Sequence, residues 1–134
     1  MPTVRDVLSS KGESLHSIDG QASVLEATRR MNLHKVGALV VMESGRVTGI
    51  FTERDALLKL GERANELAEQ PISEFMTRKV ESLPPTAKIA FAVHRMDHGG
   101  YRHVPVVNDK GESVGIFSVR DILSYLTRKL AAAK

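Results

Sequence analysis

Two short stretches set a hydroxyl, a guanidinium and a carboxylate in the same order: Thr52-Glu53-Arg54-Asp55 and Ser118-Val119-Arg120-Asp121. Each follows an apolar run opened by glycine, Gly49-Ile50-Phe51 and Gly115-Ile116-Phe117. A hydroxyl followed three residues later by an acid fits a capping box, in which the two side chains satisfy backbone N–H groups at the first turn of a helix. The arginine beside each acid adds a second reading. A strand-to-helix turn presents unpaired N–H groups and a positive dipole end, a setting suited to oxygen-rich ligands. A carboxylate there repels phosphate but accepts two hydrogen bonds from a ribose cis-diol, while Arg54 or Arg120 supplies the charge that phosphate needs. The combination suits a nucleotide lying across the turn better than a bare anion. Asp55→Asn is therefore expected to weaken nucleotide binding, because it loses the charge that holds a ribose diol, while costing little stability, because the amide keeps an acceptor for the cap.

These stretches are parts of a duplication. Lys11-Gly12-Glu13-Ser14-Leu15 parallels Lys79-Val80-Glu81-Ser82-Leu83, Arg30-Met31 parallels Arg95-Met96, and Val40-Val41 parallels Val106-Val107. Repetition at a long period implies two copies of one supersecondary unit, which divides the chain into 1–66 and 67–134. Within each copy the elements can be read from periodicity. Val24, Ala27, Thr28 and Met31 recur on one helical face behind an N-cap at Ser23, and Ile89, Ala92, Val93 and Met96 repeat the face. Short apolar strands follow at Ala38 to Met42 and His103 to Val107, with tight turns at Glu43 to Arg46 and Asn108 to Gly111. The returning strands are Val47 to Phe51 and Ser113 to Phe117, and a helix opens at Thr52 and at Ser118. A lead-in helix and an approach strand precede each set, Val4 to Leu8 then Leu15 to Ile18, and Ile72 to Met76 then Val80 to Leu83. The polar stretch Gly61 to Pro71 joins the copies.

Composition bounds the function classes. The 134 residues suffice for one ordinary core, each half of roughly 60 residues being marginal alone. With 42% hydrophobic and 26% charged residues the chain reads as a soluble globular α/β (α+β) protein, without an apolar run of the ~20 residues a membrane span requires. No secretory signal is visible at the N-terminus. The absence of cysteine excludes disulfides and thiolate chemistry and makes a cytoplasmic setting the default. The net charge of +3 mildly favours acidic ligands, but the basic residues are dispersed among acids. Aromatics at 4% and no basic block give nucleic-acid binding little support. Asp55 and Asp121 as an acid–base pair would each stand beside an arginine that keeps them ionised, and no Ser-His-Asp order, P-loop or Rossmann glycine pattern appears. Binding is therefore favoured over catalysis. His94 and His98 share a helix face without a third metal ligand, and the run from Thr127 to Lys134 has high helix propensity with a basic end.

The duplicated strand-helix-strand-strand-helix unit, closed in each copy by Gly-Ile-Phe-Thr-Glu-Arg-Asp or Gly-Ile-Phe-Ser-Val-Arg-Asp, with Arg102-His103-Val104-Pro105-Val106-Val107 on a hairpin, resembles the paired cystathionine-β-synthase (CBS) domain over about Val4 to Leu126. The resemblance implies a Bateman module: tandem repeats packed about a pseudo-twofold axis, with two clefts that take adenosine ligands such as AMP, ADP or ATP as regulatory ligands. It further implies a homodimer that modulates a partner protein. A ligand-free dimerisation module and a nucleic-acid-binding protein are the alternatives. Carried over by motif, one cleft joins Thr52, Arg54 and Asp55 to Thr86, Tyr101, Arg102, His103 and Val104. The other joins Ser118, Arg120 and Asp121 to Gln21, Lys35, Val36, Gly37 and Ala38. No catalytic residue, metal or catalytic cofactor is implied. The first cleft is expected to be the tighter for a phosphorylated ligand, because Arg102 and Arg54 can both reach toward phosphate there, whereas the second has Val36 at the position matching Arg102 and Leu39 at that matching Pro105.

Overall fold

The computed structural model describes residues 2–10, 17–78 and 80–132. The chain is a mixed α/β fold of two repeats, and its contacts divide it into two compact units: one built from residues 16–80, the other from residues 81–134 together with 1–15. In the first unit, β1 (Ser17–Asp19), α2 (Val24–His34), β2 (Ala38–Glu43) and β3 (Arg46–Thr52) follow in order, and the sheet runs β1-β2-β3 with β1 parallel and β3 antiparallel to β2. The Ser23 side chain caps α2 by accepting from the Glu26 N–H at 3.1 Å. That helix buries Val24, Ala27 and Met31, the face expected from their spacing, in a core with Ile18, Leu39, Val41, Phe51, Leu60, Ile72 and Met76. Ala38, Val40 and Ile50 on the opposite face of the sheet are buried too, so β2 reads as a continuous apolar run rather than an alternation.

The second unit repeats the plan with α5 (Ile89–Gly99), β4 (His103–Val107), β5 (Ser113–Ser118) and α6 (Val119–Ala132). Its core gathers Leu83, Ala92, Met96, Val104, Val106, Phe117 and Tyr125 with Val4 and Val7 of α1 (Val4–Ser10). The lead-in helix is thus packed with the second repeat's elements: the Val4 N–H donates to the Ala87 carbonyl at 2.8 Å, and the Arg128 guanidinium at the end of α6 donates to Ser10 Oγ. Both hairpins shift register at the same place, between Val41 and Met42 and between Val106 and Val107. Both helices before a hairpin end on a left-handed residue, Lys35 at φ 55° and Gly100 at φ 72°. These matched irregularities extend the duplication beyond side-chain identity.

Three elements differ from expectation. Of the approach strand expected at Leu15 to Ile18, Leu15 and His16 lie outside the described residues, and β1 occupies Ser17–Asp19. Its counterpart at Val80 to Leu83 is reduced to a single bridge between Leu83 and Val106. The reason is local: Pro84 and Pro85 follow at once, neither can donate to a ladder, and Pro105 in the facing strand cannot either. The linker from Gly61 is helical in part, with a 3-10 turn at Gly61–Arg63 and α4 at Ala64–Leu67.

Candidate ligand-binding turns

In the first unit β3 runs straight into α3 (Glu53–Asp55), which continues as a π-helical turn over Ala56–Leu60. Thr52 and Asp55 form the expected capping box: the Asp55 N–H donates to Thr52 Oγ1 at 3.1 Å, and the Thr52 N–H donates to Asp55 Oδ2 at 3.0 Å. In the second unit the Asp121 N–H donates to Ser118 Oγ at 3.1 Å and the Ser118 N–H to Asp121 Oδ2 at 2.9 Å. Here the helix behind the turn, α6, is regular and longer.

Asp55 has further partners. Asp55 is buried, at 7% exposure, although it is charged. Its Oδ1 accepts from Thr77 Oγ1 at 2.9 Å and pairs with Lys59 Nζ at 3.1 Å, and its Oδ2 also faces the Thr52 hydroxyl at 3.2 Å. Two of these partners lie outside the motif: the i,i+4 spacing of Asp55 and Lys59 is a local signal, whereas nothing local marks Thr77. Lys59 sits one helical turn beyond Asp55 and also donates to the carbonyls of Phe75 and Met76, at 2.9 and 3.3 Å. Thr77 comes from the segment that joins the repeats, which returns to pair antiparallel with Ile50 through two backbone hydrogen bonds of 2.8 and 3.0 Å. The cation that compensates Asp55 is therefore Lys59, whereas the neighbouring Arg54 points to solvent as an exposed residue. Gly49 permits this approach. A Cβ there would lie 2.6 Å from the Thr77 carbonyl oxygen and 2.8 Å from Met76 Sδ.

Strand register assigns the remaining candidates. Ala38 pairs with Thr52, and the Glu53 N–H donates to the Gly37 carbonyl at 3.0 Å, so Gly37 and Ala38 border the first turn. His103 pairs with Ser118, and the Val119 N–H donates to the Arg102 carbonyl at 3.3 Å, so Arg102 and His103 border the second. These are neighbours within one unit, whereas the grouping of Arg102 and His103 with Asp55 carried over by motif joins residues of the two different units. Within each unit, antiparallel pairing sets every motif turn beside the start of its own repeat's hairpin. Arg102 and Arg120 are exposed, Asp121, Tyr101 and His103 are half-buried, and Val104 lies in the core. Thr86 is exposed in the turn before α5, Gln21 and Lys35 are exposed on the first unit, and Val36 packs against its core. His94 and His98 stack on α5 with ring centroids 6.1 Å apart, and among the described residues no group of three or more metal-ligating side chains converges.

A third turn of the same kind stands at the start of α1. Thr3-Val4-Arg5-Asp6 repeats the hydroxyl-x-Arg-Asp order, and the Thr3 N–H donates to Asp6 Oδ2 at 2.8 Å at the start of α1. The pattern makes a helix cap at each of its three places in this chain. The backbone N–H of Thr3, with its hydroxyl, holds the Asp6 carboxyl below the usual carboxylate range. A depressed folded value means that the cap contributes fully above the unfolded value and is lost as pH falls through the folded one. A carboxyl NMR titration should place the Asp6 midpoint below that of an unstructured aspartate. An ordinary midpoint would deny the Thr3 bond.

The family model described as "CBS domain" matches twice, at residues 4–62 and 72–128. The chain belongs to the CBS-domain family. It is 34% identical over 133 residues to the Arabidopsis thaliana mitochondrial CBS domain-containing protein CBSX3, covering 90% of this chain and 63% of that protein's length. A CBS-domain-containing protein from Agrobacterium tumefaciens superposes with a TM-score of 0.82 at 32% identity, over 92% of this chain and 98% of that one. The CBS domain pair of protein MJ0100, solved in complex with 5'-methylthioadenosine and S-adenosyl-L-methionine, superposes with a TM-score of 0.79 at 25% identity, over 96% and 98% of the two chains. The CBS-pair fold therefore accounts for both repeats, and no described helix is long and apolar enough to cross a membrane.

Proposed function

We propose that this CBS pair binds an adenosine-containing ligand and acts as a regulatory sensor for a partner protein rather than as a catalyst. The observation that carries the reading is the second turn: a half-buried Asp121 at a strand-to-helix junction, with exposed Arg120 behind it and Arg102 on the adjoining strand start. A carboxylate for a ribose diol and two guanidiniums for phosphate make one chemically consistent set. The ligands in the MJ0100 complex favour the adenosine class, and AMP, ADP and ATP remain the nucleotides to try first. Regulation would follow by linkage, since a ligand that favours one conformation changes affinity for any partner that discriminates conformations.

Adenosine compounds should raise the melting temperature, because a ligand bound only by the folded state adds about 2.7 kcal/mol at a hundredfold excess over its dissociation constant. A panel of AMP, ADP, ATP, NAD, S-adenosylmethionine, 5'-methylthioadenosine, GTP and short RNA separates the classes. Arg102→Ala should shrink the shift for phosphorylated compounds and leave that for methylthioadenosine. No shift with any adenosine compound at millimolar concentration removes the reading, and a shift with RNA alone would replace it.

A second reading, a homodimerising interaction module, draws on α6. Val119, Leu123, Leu126 and Leu130 are 46%, 64%, 49% and 70% exposed and recur along one helical face. Such a stripe suits a helical contact with a second copy, and the sensor and dimer readings are compatible.

A further inference from the structure

We propose that the last turns of α5 form a surface site for a late first-row divalent metal ion of the zinc or nickel class, held by the imidazoles of His94 and His98. The inference is independent of the sensor reading. The two residues stand four apart on the helix, the spacing that makes side chains neighbours on one face. Their rings stack with centroids 6.1 Å apart and planes 16° from parallel. A ring bonded to zinc through one nitrogen at about 2.0–2.1 Å has its centroid roughly 3.2 Å from the ion, so two rings on one ion stand at most about 6.4 Å apart. The observed separation falls within that limit. A tetrahedral angle at the ion asks for about 5.2 Å, a closure of about 1 Å, and both side chains are exposed and have room to rotate by that much.

The surroundings suit a cation. Neither ring is hydrogen-bonded to another of the described residues, so their nitrogens can turn to an ion. Imidazole is the commonest ligand for such metals, whereas magnesium and calcium take oxygen. Asp97, exposed on the same turn, and the negative end of the helix dipole both favour positive charge there. The charge of Arg95 is paired with Glu81, and its guanidinium lies 5.6 Å over the Phe91 ring. The turn is also firmly held. Ala92 and Met96 anchor α5 in the core, and the Gly100 and Tyr101 N–H groups both donate to the Met96 carbonyl. The Tyr101 ring packs on Gly99 so closely that a Cβ there would collide with it. Ligands carried by a helix held in this way keep their geometry better than ligands on a loop. Among the described residues no third protein ligand joins the pair, and water completes the coordination. The matching positions on α2 are Arg29 and Leu33, so the site is confined to the second repeat.

Titration calorimetry of the full chain, free of any histidine tag, tests the site with the chlorides of zinc, nickel and magnesium. One zinc or nickel ion per chain is expected, and no magnesium. His94→Ala and His98→Ala should each weaken zinc binding about tenfold or more, because the second of two linked contacts forms intramolecularly at high effective concentration. Alanine is the best helix former, so neither substitution at these exposed positions threatens the fold. Zinc should also move the imidazole NMR signals of His94 and His98 together and leave those of the other histidines in place. The site is overturned by absence of saturable binding at submillimolar metal, by a smaller loss in either variant, by one ion shared between two chains, or by movement of only one of the two signals. Each of these outcomes leaves the adenosine reading untouched.

Discussion

Asp55→Asn should lower the stability of the fold by about 2 kcal/mol, with Thr52→Ala costing about half as much. The sequence alone suggested a small loss, since asparagine still accepts a hydrogen bond for a helix cap. In the structure the same carboxylate also serves Thr77 and Lys59. An amide in its place must turn an NH2 group toward donors on one side, and it surrenders the charge that faces the Lys59 ammonium. The ionic share is discounted because Lys59 is 39% exposed, and half-solvated pairs contribute little. The loss therefore comes mainly from buried donors left without an acceptor. Urea denaturation decides the matter, and a loss no larger than that of Thr52→Ala would mean that Asp55 does nothing beyond capping.

Phe51→Ala and Phe117→Ala should each cost about 3–5 kcal/mol, the range for removing a buried aromatic ring and leaving part of its cavity. Both rings are fully buried, Phe51 in the core of the first unit and Phe117 in that of the second, at matching places in the two copies. Losses of that size are a large fraction of the roughly 5–15 kcal/mol that holds an ordinary domain together. Leu123→Ala, at 64% exposure on α6, should change stability by less than about 0.5 kcal/mol and serves as the control. Chemical denaturation of the three variants gives the comparison. A cost below about 1 kcal/mol for one phenylalanine and not the other would mean that the two repeats are not packed alike.

What the residues determined by themselves was the duplication, the helix faces, the hairpins and the caps. These features are local. A capping box links positions three apart, as in Thr52 with Asp55 and Ser118 with Asp121, and a helical face repeats within four residues, so the chain carries the whole relation in a short window. Tertiary structure decided which distant segments meet those local elements. Lys59 stands at the i,i+4 spacing from Asp55 that marks a local ion pair, but Thr77 has no mark in the sequence as a partner of Asp55, because it lies 22 positions away and reaches the carboxylate only after the inter-repeat segment has paired with Ile50. Arg102 comes to lie beside Ser118 through strand register, and α1 joins the core of residues it precedes by most of the chain. Burial of Ile72, Met76, Val4 and Val7 drives those returns. Hydrophobic burial is non-directional, so the apolar pattern marks which residues must leave water without saying beside which partner they will do so.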